Sequence, residues 1–288
     1  MSRIVYVNGR YQPYAQAAVH AEDRGFQFAD SVYEVIEVLA GRLIDERRHM
    51  ERLTRSLSEL KIPPPMSRAA LRTVIAETIR RNLVRDGTVY LQVSRGAPGP
   101  RDFALPPTGT PPTLVVTARS QAQAKLSAQA EAGIAVITTP DSRWGRSDIK
   151  TVMLLPACLA KDSAKNAGAR EAWFVDAQGV VTEGASSNAW IVSGAGRLVT
   201  RPLDRRILGG VTRATAIDVA KAEGLTLEER AFTVIEAYEA REAFITSATN
   251  TVMPVVSIDG RAIADGVPGP LTLRLRSQFH HIAETSRI

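Results

Sequence analysis

The chain has 288 residues, 36 basic and 30 acidic side chains, a formal charge of +6 and one cysteine. An apolar share of 44% with 23% charged residues excludes a disordered or fibrous chain, and the length allows one large domain or two ordinary ones with real cores. Cys158 cannot form an internal disulfide or a cysteine-based zinc site, no stretch approaches membrane-spanning length, and the first residues lack a signal peptide's apolar run. Cytoplasmic work without a membrane partner is expected. Only six basic residues are lysines (Lys61, Lys125, Lys150, Lys161, Lys165 and Lys221), and arginine supplies the rest. No basic run interleaved with aromatics accompanies that skew, so it reads as coding bias and not as nucleic-acid binding.

In chain order, Ile4 to Tyr11 alternates around Asn8-Gly9 and predicts a hairpin. Phe26-Gln-Phe and Val32 to Val38 suggest further strand. Glu46 to Leu60 sets Met50, Leu53, Leu57 and Leu60 on one helical face, and Ser67 opens a second helix striped by Leu71, Val74, Ile75 and Ile79. Thr88 to Ser94 is a buried strand. Six prolines between Gly96 and Pro112 mark a long loop, and a strand follows from Thr113 to Ala118. The polar, alanine-rich stretch 119–131 reads as a linker between domains at 1–118 and 132–288. The second half predicts strands at Ile134–Thr138, Glu171–Val175, Asn188–Val192, Ala243–Ser247 and Pro254–Ile258. It also predicts helices near Leu155–Asn166, after Gly210 to about Glu223, and at about Leu271–Thr285. The fold class is α/β, in two mixed domains.

The four histidines show no metal-ligand spacing, so no metal is expected. Nucleophile-elbow, Walker-A and dinucleotide fingerprints are absent, which removes hydrolase-triad, NTPase and nicotinamide readings. One lysine is unusual. Lys150 is followed at once by Thr151-Val-Met-Leu-Leu-Pro-Ala-Cys-Leu-Ala, and an amine held against apolar surroundings becomes a nucleophile toward carbonyls. A packed lysine with a solvated ammonium is the plainer alternative. Glu183 precedes Gly-Ala-Ser-Ser-Asn, a carboxylate beside small donors. Leu208-Gly-Gly-Val-Thr212 places glycines where a helix begins, an arrangement suited to phosphate, and Ser247-Ala-Thr-Asn is a second small, hydroxyl-rich loop.

Together these blocks, with Glu22 to Val35, Arg47 to Leu53, Arg143 to Lys150 and the Thr246–Thr251 loop, resemble the class IV aminotransferases over essentially the full length. Within them the chain is most similar to the D-amino-acid transaminases. The resemblance implies the fold type IV scaffold, pyridoxal 5'-phosphate in the cleft between two α/β domains, and a homodimer in which the neighbouring subunit completes the pocket. It makes Lys150 the catalytic residue, in Schiff-base linkage to the cofactor, and Glu183 the partner of the pyridine nitrogen. Arg52 falls on the phosphate, Val211, Thr212, Ala248 and Thr249 on two phosphate loops, Leu208 against the ring and Ser187 near it.

On the substrate side the resemblance points to Tyr33 and Arg101 for the carboxylate, with Ser31 and Phe103 at positions that depart from the family. Related D-amino-acid transaminases carry Arg-x-His where this chain reads Arg101-Asp-Phe103, and glycine is common at the place of Ser31. Arg24, flanked by acids, is expected to brace its loop as an ion pair. The implied reaction exchanges an amino group between a D-amino acid, such as D-alanine or D-glutamate, and a 2-oxo acid such as 2-oxoglutarate, with ping-pong kinetics. Relatives on the same scaffold leave (R)-selective amine transamination, branched-chain transamination and aminodeoxychorismate lyase activity as alternatives.

Overall fold

Asn8 and Gly9 adopt positive φ of 44° and 92°, the backbone of a tight two-residue turn, and β1 (Ile4–Val7) folds back on β2 (Arg10–Pro13) as the Asn-Gly pair predicts. The computed structural model describes residues 3–288. They divide into two units, neither a single run of sequence. One comprises the residues up to Gln123 together with Ile149–Met153 and Glu284–Ile288; the other comprises Ala124–Asp148 and Leu154–Ala283.

In the first unit follow α1 (Arg24–Phe28), β3 (Ser31–Leu39), β4 (Arg42–Ile44), α2 (Glu46–Glu59), α3 (Arg68–Arg81), β5 (Gly87–Ser94) and β6 (Thr113–Ser120). With the strand Thr285–Arg287 they build a seven-stranded antiparallel sheet in the order Thr285–Arg287, β4, β3, β5, β6, β1, β2. Val32, Ile36, Val89, Leu91, Val93 and Val116 are fully buried in it. Met50, Leu53 and Leu57 bury one face of α2, which packs on β3, and Ser67 caps α3 by accepting from the Ala70 N–H at 3.3 Å. Phe26 and Phe28 are not strand, as their aromatic character suggested. The Asp23 carboxylate accepts from the Gly25 N–H at 2.9 Å and starts α1, and Ala29 ends it at φ 57°. The cap outweighs the intrinsic preference of two aromatics.

The second unit opens with α4 (Gln123–Ala132), so the expected linker at 119–131 is mostly helix, with Ala130 inside the second unit's core. Alanine-rich sequence is a strong helix former once one face finds a partner. The boundary thus falls between Gln123 and Ala124, and against the expected domains at 1–118 and 132–288 the first unit also takes in Ile149–Met153 and Glu284–Ile288. There follow β7 (Ile134–Pro140), α5 (Leu155–Asn166), β8 (Glu171–Val175), β9 (Val181–Gly184), β10 (Asn188–Val192), β11 (Leu198–Thr200), α6 (Val211–Ala222), β12 (Leu227–Glu229), α7 (Val234–Tyr238), β13 (Glu242–Ser247), β14 (Thr251–Ile258), β15 (Arg261–Ala262) and α8 (Pro270–Ile282). The strand Thr285–Arg287 is β16. The second sheet runs β12, β11, β10, β13, β14, β7, β8, β9, with β15 on β14; the β11–β12, β14–β7 and β7–β8 pairs are parallel. Trp173 meets Phe232 edge-on at 6.0 Å and Trp190 stacks on Phe244 at 5.3 Å, anchoring the core.

Candidate active site

Lys150 lies on the short segment 149–153 that belongs to the first unit. Its carbonyl accepts from the Tyr33 N–H at 3.0 Å, and the Val152 N–H donates to the Ser31 carbonyl at 3.1 Å, so the segment runs along the end of β3. The Lys150 N–H reaches the Ser56 hydroxyl on α2 at 3.4 Å. Nζ stands 4.2 Å from the centre of the Tyr33 ring. The apolar run after Lys150 does not enclose it, contrary to the sequence expectation: Leu155 and Leu159 are exposed on α5. The Tyr33 ring stands beside the amine instead.

Beneath Tyr33, on the next position of β3, Glu34 is fully buried. It accepts from Arg52 Nε at 2.8 Å and Nη2 at 2.7 Å and contacts His49 Nδ1 at 2.7 Å. His49 and Arg52 are three residues apart on α2, hence on one face. Burial pushes the Glu34 carboxyl up, but the charge and hydrogen bonds of Arg52, with those of His49, outweigh it and hold the pKa at about 2. Burial pushes the His49 imidazole down, Glu34 opposes this, and the positive charges of Arg52 and Lys150 add to the depression. The neutral ring therefore donates Nδ1–H to the carboxylate. Two of the Arg52 nitrogens face Glu34, which fixes the direction of the guanidinium.

In the second unit Glu183 is buried at the end of β9. It accepts from Arg143 Nη1, from Asn188 Nδ2 at 3.0 Å and from the Leu208 N–H at 3.1 Å. Asn188 also donates to the Leu208 carbonyl at 2.9 Å, so the backbone of Leu208 is locked on both sides. Arg143 is itself held by Asp141, with Nε at 2.9 Å and Nη2 at 2.8 Å, and by the Arg206 carbonyl. Burial lowers the Arg143 guanidinium, yet the bonds and charges of Asp141 and Glu183 raise it overall. Three donors converging on one carboxylate suit its ionised form.

Val211 and Thr212 begin α6, which has no side-chain cap and no acid in its first turn. A Cβ at Gly210 would lie 2.0 Å from Asn188 Oδ1, so only glycine admits this approach of the helix start to the Glu183–Asn188 corner. An uncapped helix terminus next to small residues matches the donor chemistry of a phosphate cradle. In the second loop, Ser247 and Thr249 hydroxyls are 3.4 Å apart, with Ala248 between them, and the Asn250 N–H donates to the Ser247 carbonyl. Ser187 is buried and donates to Glu171 at 3.1 Å.

Among the substrate-side residues, Ser31 is fully buried and donates to the Val93 carbonyl at 2.9 Å; it lies on the same face of β3 as Tyr33, packed against Gly25 at the start of α1. Arg101 and Phe103 lie exposed on the loop between β5 and β6. The Arg101 guanidinium stands 4.8 Å over the Phe28 ring and 5.0 Å over that of Phe103.

The family model for class IV amino-transferases matches residues 31–258, a span that runs from Ser31 through Lys150 and Glu183 to the end of β14. The chain belongs to that family. This aminotransferase is 39% identical over 285 residues to a D-alanine aminotransferase of Bacillus licheniformis, a likeness covering 98% of this chain and 99% of that one. A D-alanine aminotransferase of Listeria innocua is 38% identical over 275 residues, 96% of this chain and 94% of the relative. Among solved structures, the branched-chain amino acid aminotransferase of Escherichia coli superposes with a TM-score of 0.88 at 25% identity, covering 98% of this chain and 95% of that one. A second branched-chain amino acid aminotransferase, solved with pyridoxamine 5'-phosphate, superposes with a TM-score of 0.89 at 26% identity, covering 98% of this chain and 94% of that one.

Sequence reasoning about the aminotransferase missed Glu34, His49, Asp141, Arg143 and Asn188 as parts of ordered networks. A signal existed for the first. Glu34 interrupts the buried register Val32, Ile36, Val38 of β3, and a carboxylate among inward apolar residues demands a cation. No spacing rule announces Arg143 and Glu183, forty residues apart.

Proposed function

We propose that this class IV aminotransferase exchanges an amino group between a D-amino acid of the D-alanine or D-glutamate type and a 2-oxo acid such as 2-oxoglutarate, using pyridoxal 5'-phosphate. The observation that carries the reading is the end-to-end likeness to D-alanine aminotransferases at 38–39% identity, against 25–26% for the branched-chain structures above. The donor set fits the cofactor. Arg52, Val211, Thr212, Ala248 and Thr249 would hold the phosphate, Glu183 would face the ring nitrogen, and Leu208 and Ser187 would border the ring. When bound, the cofactor supplies an aldehyde that takes up the amino group and a ring that accepts the electron pair of the substrate Cα–H bond.

The chain's own residues do the rest. Lys150, its backbone pinned to β3, is the base proposed to take up and carry the proton released from the substrate Cα. Arg143, with Asn188 and the Leu208 N–H, holds the Glu183 carboxylate in place. Tyr33 lies beside the lysine amine, and Arg101 is proposed to grip the substrate carboxylate from a neighbouring subunit of a homodimer. The exposed Leu155 and Leu159 support burial against a second copy. Among the described residues no helix is long and apolar enough to cross a membrane, and the single free cysteine supports work in the cytoplasm.

Initial rates with D-alanine, L-leucine and (R)-1-phenylethylamine, each with 2-oxoglutarate, test the reading. D-alanine is expected to be the best donor. If it is the poorest, the D-amino-acid reading fails. Lys150→Ala is expected to abolish turnover and to remove the absorption band that depends on linkage of the cofactor to the lysine.

A further inference from the structure

Arg24 has no part in the chemistry above, yet it is 6% exposed beside an open loop. Nε donates to Asp30 at 2.8 Å. Nη1 donates to the carbonyls of Asp102, at 2.7 Å, and Ala104, at 3.2 Å. Asp30 is shared with Arg95, whose Nε and Nη2 bind it at 2.7 and 2.9 Å, and Arg95 also reaches the Leu60 and Lys61 carbonyls after α2. Arg24 thus ties the exposed loop to the folded sheet through a buried ion network. The two carbonyls it grips flank Phe103, so the backbone on both sides of that residue is fixed.

The consequence reaches Arg101. With Phe103 fixed, its ring lies 5.5 Å from that of Phe28, and the Arg101 guanidinium stands over both. Arg24 also faces Phe28, at 4.6 Å. An arginine on an exposed loop ordinarily samples many rotamers, and two aromatic faces restrict it to few. Ordering completed before binding strengthens binding afterwards.

We propose that Arg24, Phe28 and Phe103 are specificity-determining positioning residues that pre-set Arg101 for a substrate carboxylate. They let one guanidinium do what an Arg-x-His pair would share, so this loop selects donors bearing a carboxylate next to the amine. The inference rests on the reading that Arg101 grips that carboxylate.

The test uses holoenzyme with D-alanine and 2-oxoglutarate, in the variants Arg24→Gln, Phe103→Leu, Arg101→Gln and the Arg24→Gln/Arg101→Gln double change. Arg24→Gln is expected to raise KM for D-alanine about tenfold, with a smaller fall in kcat. Phe103→Leu, at an exposed position that folding does not depend on, is expected to raise it about two- to fivefold. In the Arg101→Gln background the Arg24 change is expected to add less than about twofold, since it acts through the missing side chain. Chymotryptic cleavage after Phe103 is expected to be faster in Arg24→Gln, a readout independent of turnover. If Arg101→Gln raises KM while Arg24→Gln and Phe103→Leu do not, or if the Arg24 effect persists undiminished in the double variant, the proposal is overturned alone. If Arg101→Gln leaves KM unchanged, the carboxylate reading itself is refuted and this inference goes with it.

Discussion

Glu34 offers a quantitative test of the buried network beneath Lys150. The comparison is between His49→Asn and His49→Asn/Glu34→Gln, so that the imidazole's own titration is absent from both chains. Glu34 is fully buried and its pKa is held at about 2 against an ordinary 4.5, chiefly by Arg52 once the cost of burial is overcome. A shift of about 2.5 units at 1.36 kcal/mol each corresponds to roughly 3 kcal/mol at neutral pH. A carboxyl depressed in the folded state stabilises the fold above its unfolded pKa and loses that contribution as pH falls toward its folded one. The window therefore runs from about pH 4.5 down to about 2, and roughly 2 kcal/mol should be gone by pH 3. Urea unfolding followed by circular dichroism at pH 7, 5, 4 and 3 gives the stability gap between the two chains. The gap should be nearly constant from pH 7 to 5 and then narrow by about 1 to 2 kcal/mol, the smaller figure reflecting the loss of the His49 hydrogen bond and charge that help depress Glu34, on top of a pH-independent cost of leaving Arg52 unpaired. A gap that stays flat down to pH 3 would mean that Glu34 is not held ionised by its partners.

Arg143→Gln removes a buried donor from Glu183 and from Asp141 at once; a loss of about 3 kcal/mol in stability and a faster release of cofactor on dialysis are expected, checked by unfolding and by absorbance. Gly210→Ala puts a Cβ 2.0 Å from Asn188 Oδ1, whereas at Gly209 the nearest atom is 3.9 Å away. Cofactor affinity measured by fluorescence titration should fall about tenfold or more for the first and change little for the second. Ser67→Ala removes the cap of α3 and should cost about 1 kcal/mol, while Ser67→Gly costs a few tenths, by thermal unfolding. Equal costs would show that the Ser67 hydroxyl contributes nothing as a cap.

Local signals in the sequence were reliable where one short stretch decides its own conformation. Asn8-Gly9, the Ser67 cap and the apolar stripes of α2 and α3 are of this kind, as are the buried strands β5 and β13. The α1 segment was misread because one capping carboxylate, Asp23, decides it against the preference of Phe26 and Phe28. The assignment of Ile149–Met153 and Glu284–Ile288 to the first unit was invisible because their partners are remote: Thr285 pairs with Ile44, and the Tyr33 N–H is satisfied by Lys150. At the candidate site, Lys150 stood out as a lysine in a chain that mostly uses arginine, which stays protonated and could not serve the nucleophilic role proposed for it. Its surroundings did not, since the apolar residues that follow it turn outward along α5 while Tyr33, far upstream, faces the amine.

The edge strand β16 also bears on how the chain is made. Its Thr285–Arg287 pair with Arg42–Ile44, Glu284 exchanges hydrogen bonds with Asp45, and Arg72 donates to the Arg287 carbonyl. During synthesis the first unit is therefore left with β4 as an open edge until the whole of the second unit has emerged. An unpaired edge is a site for pairing with other chains. A nascent or truncated chain ending before Glu284 should consequently depend on chaperones more than the finished protein does, and residues 3–123 alone should not behave as an independent folding fragment.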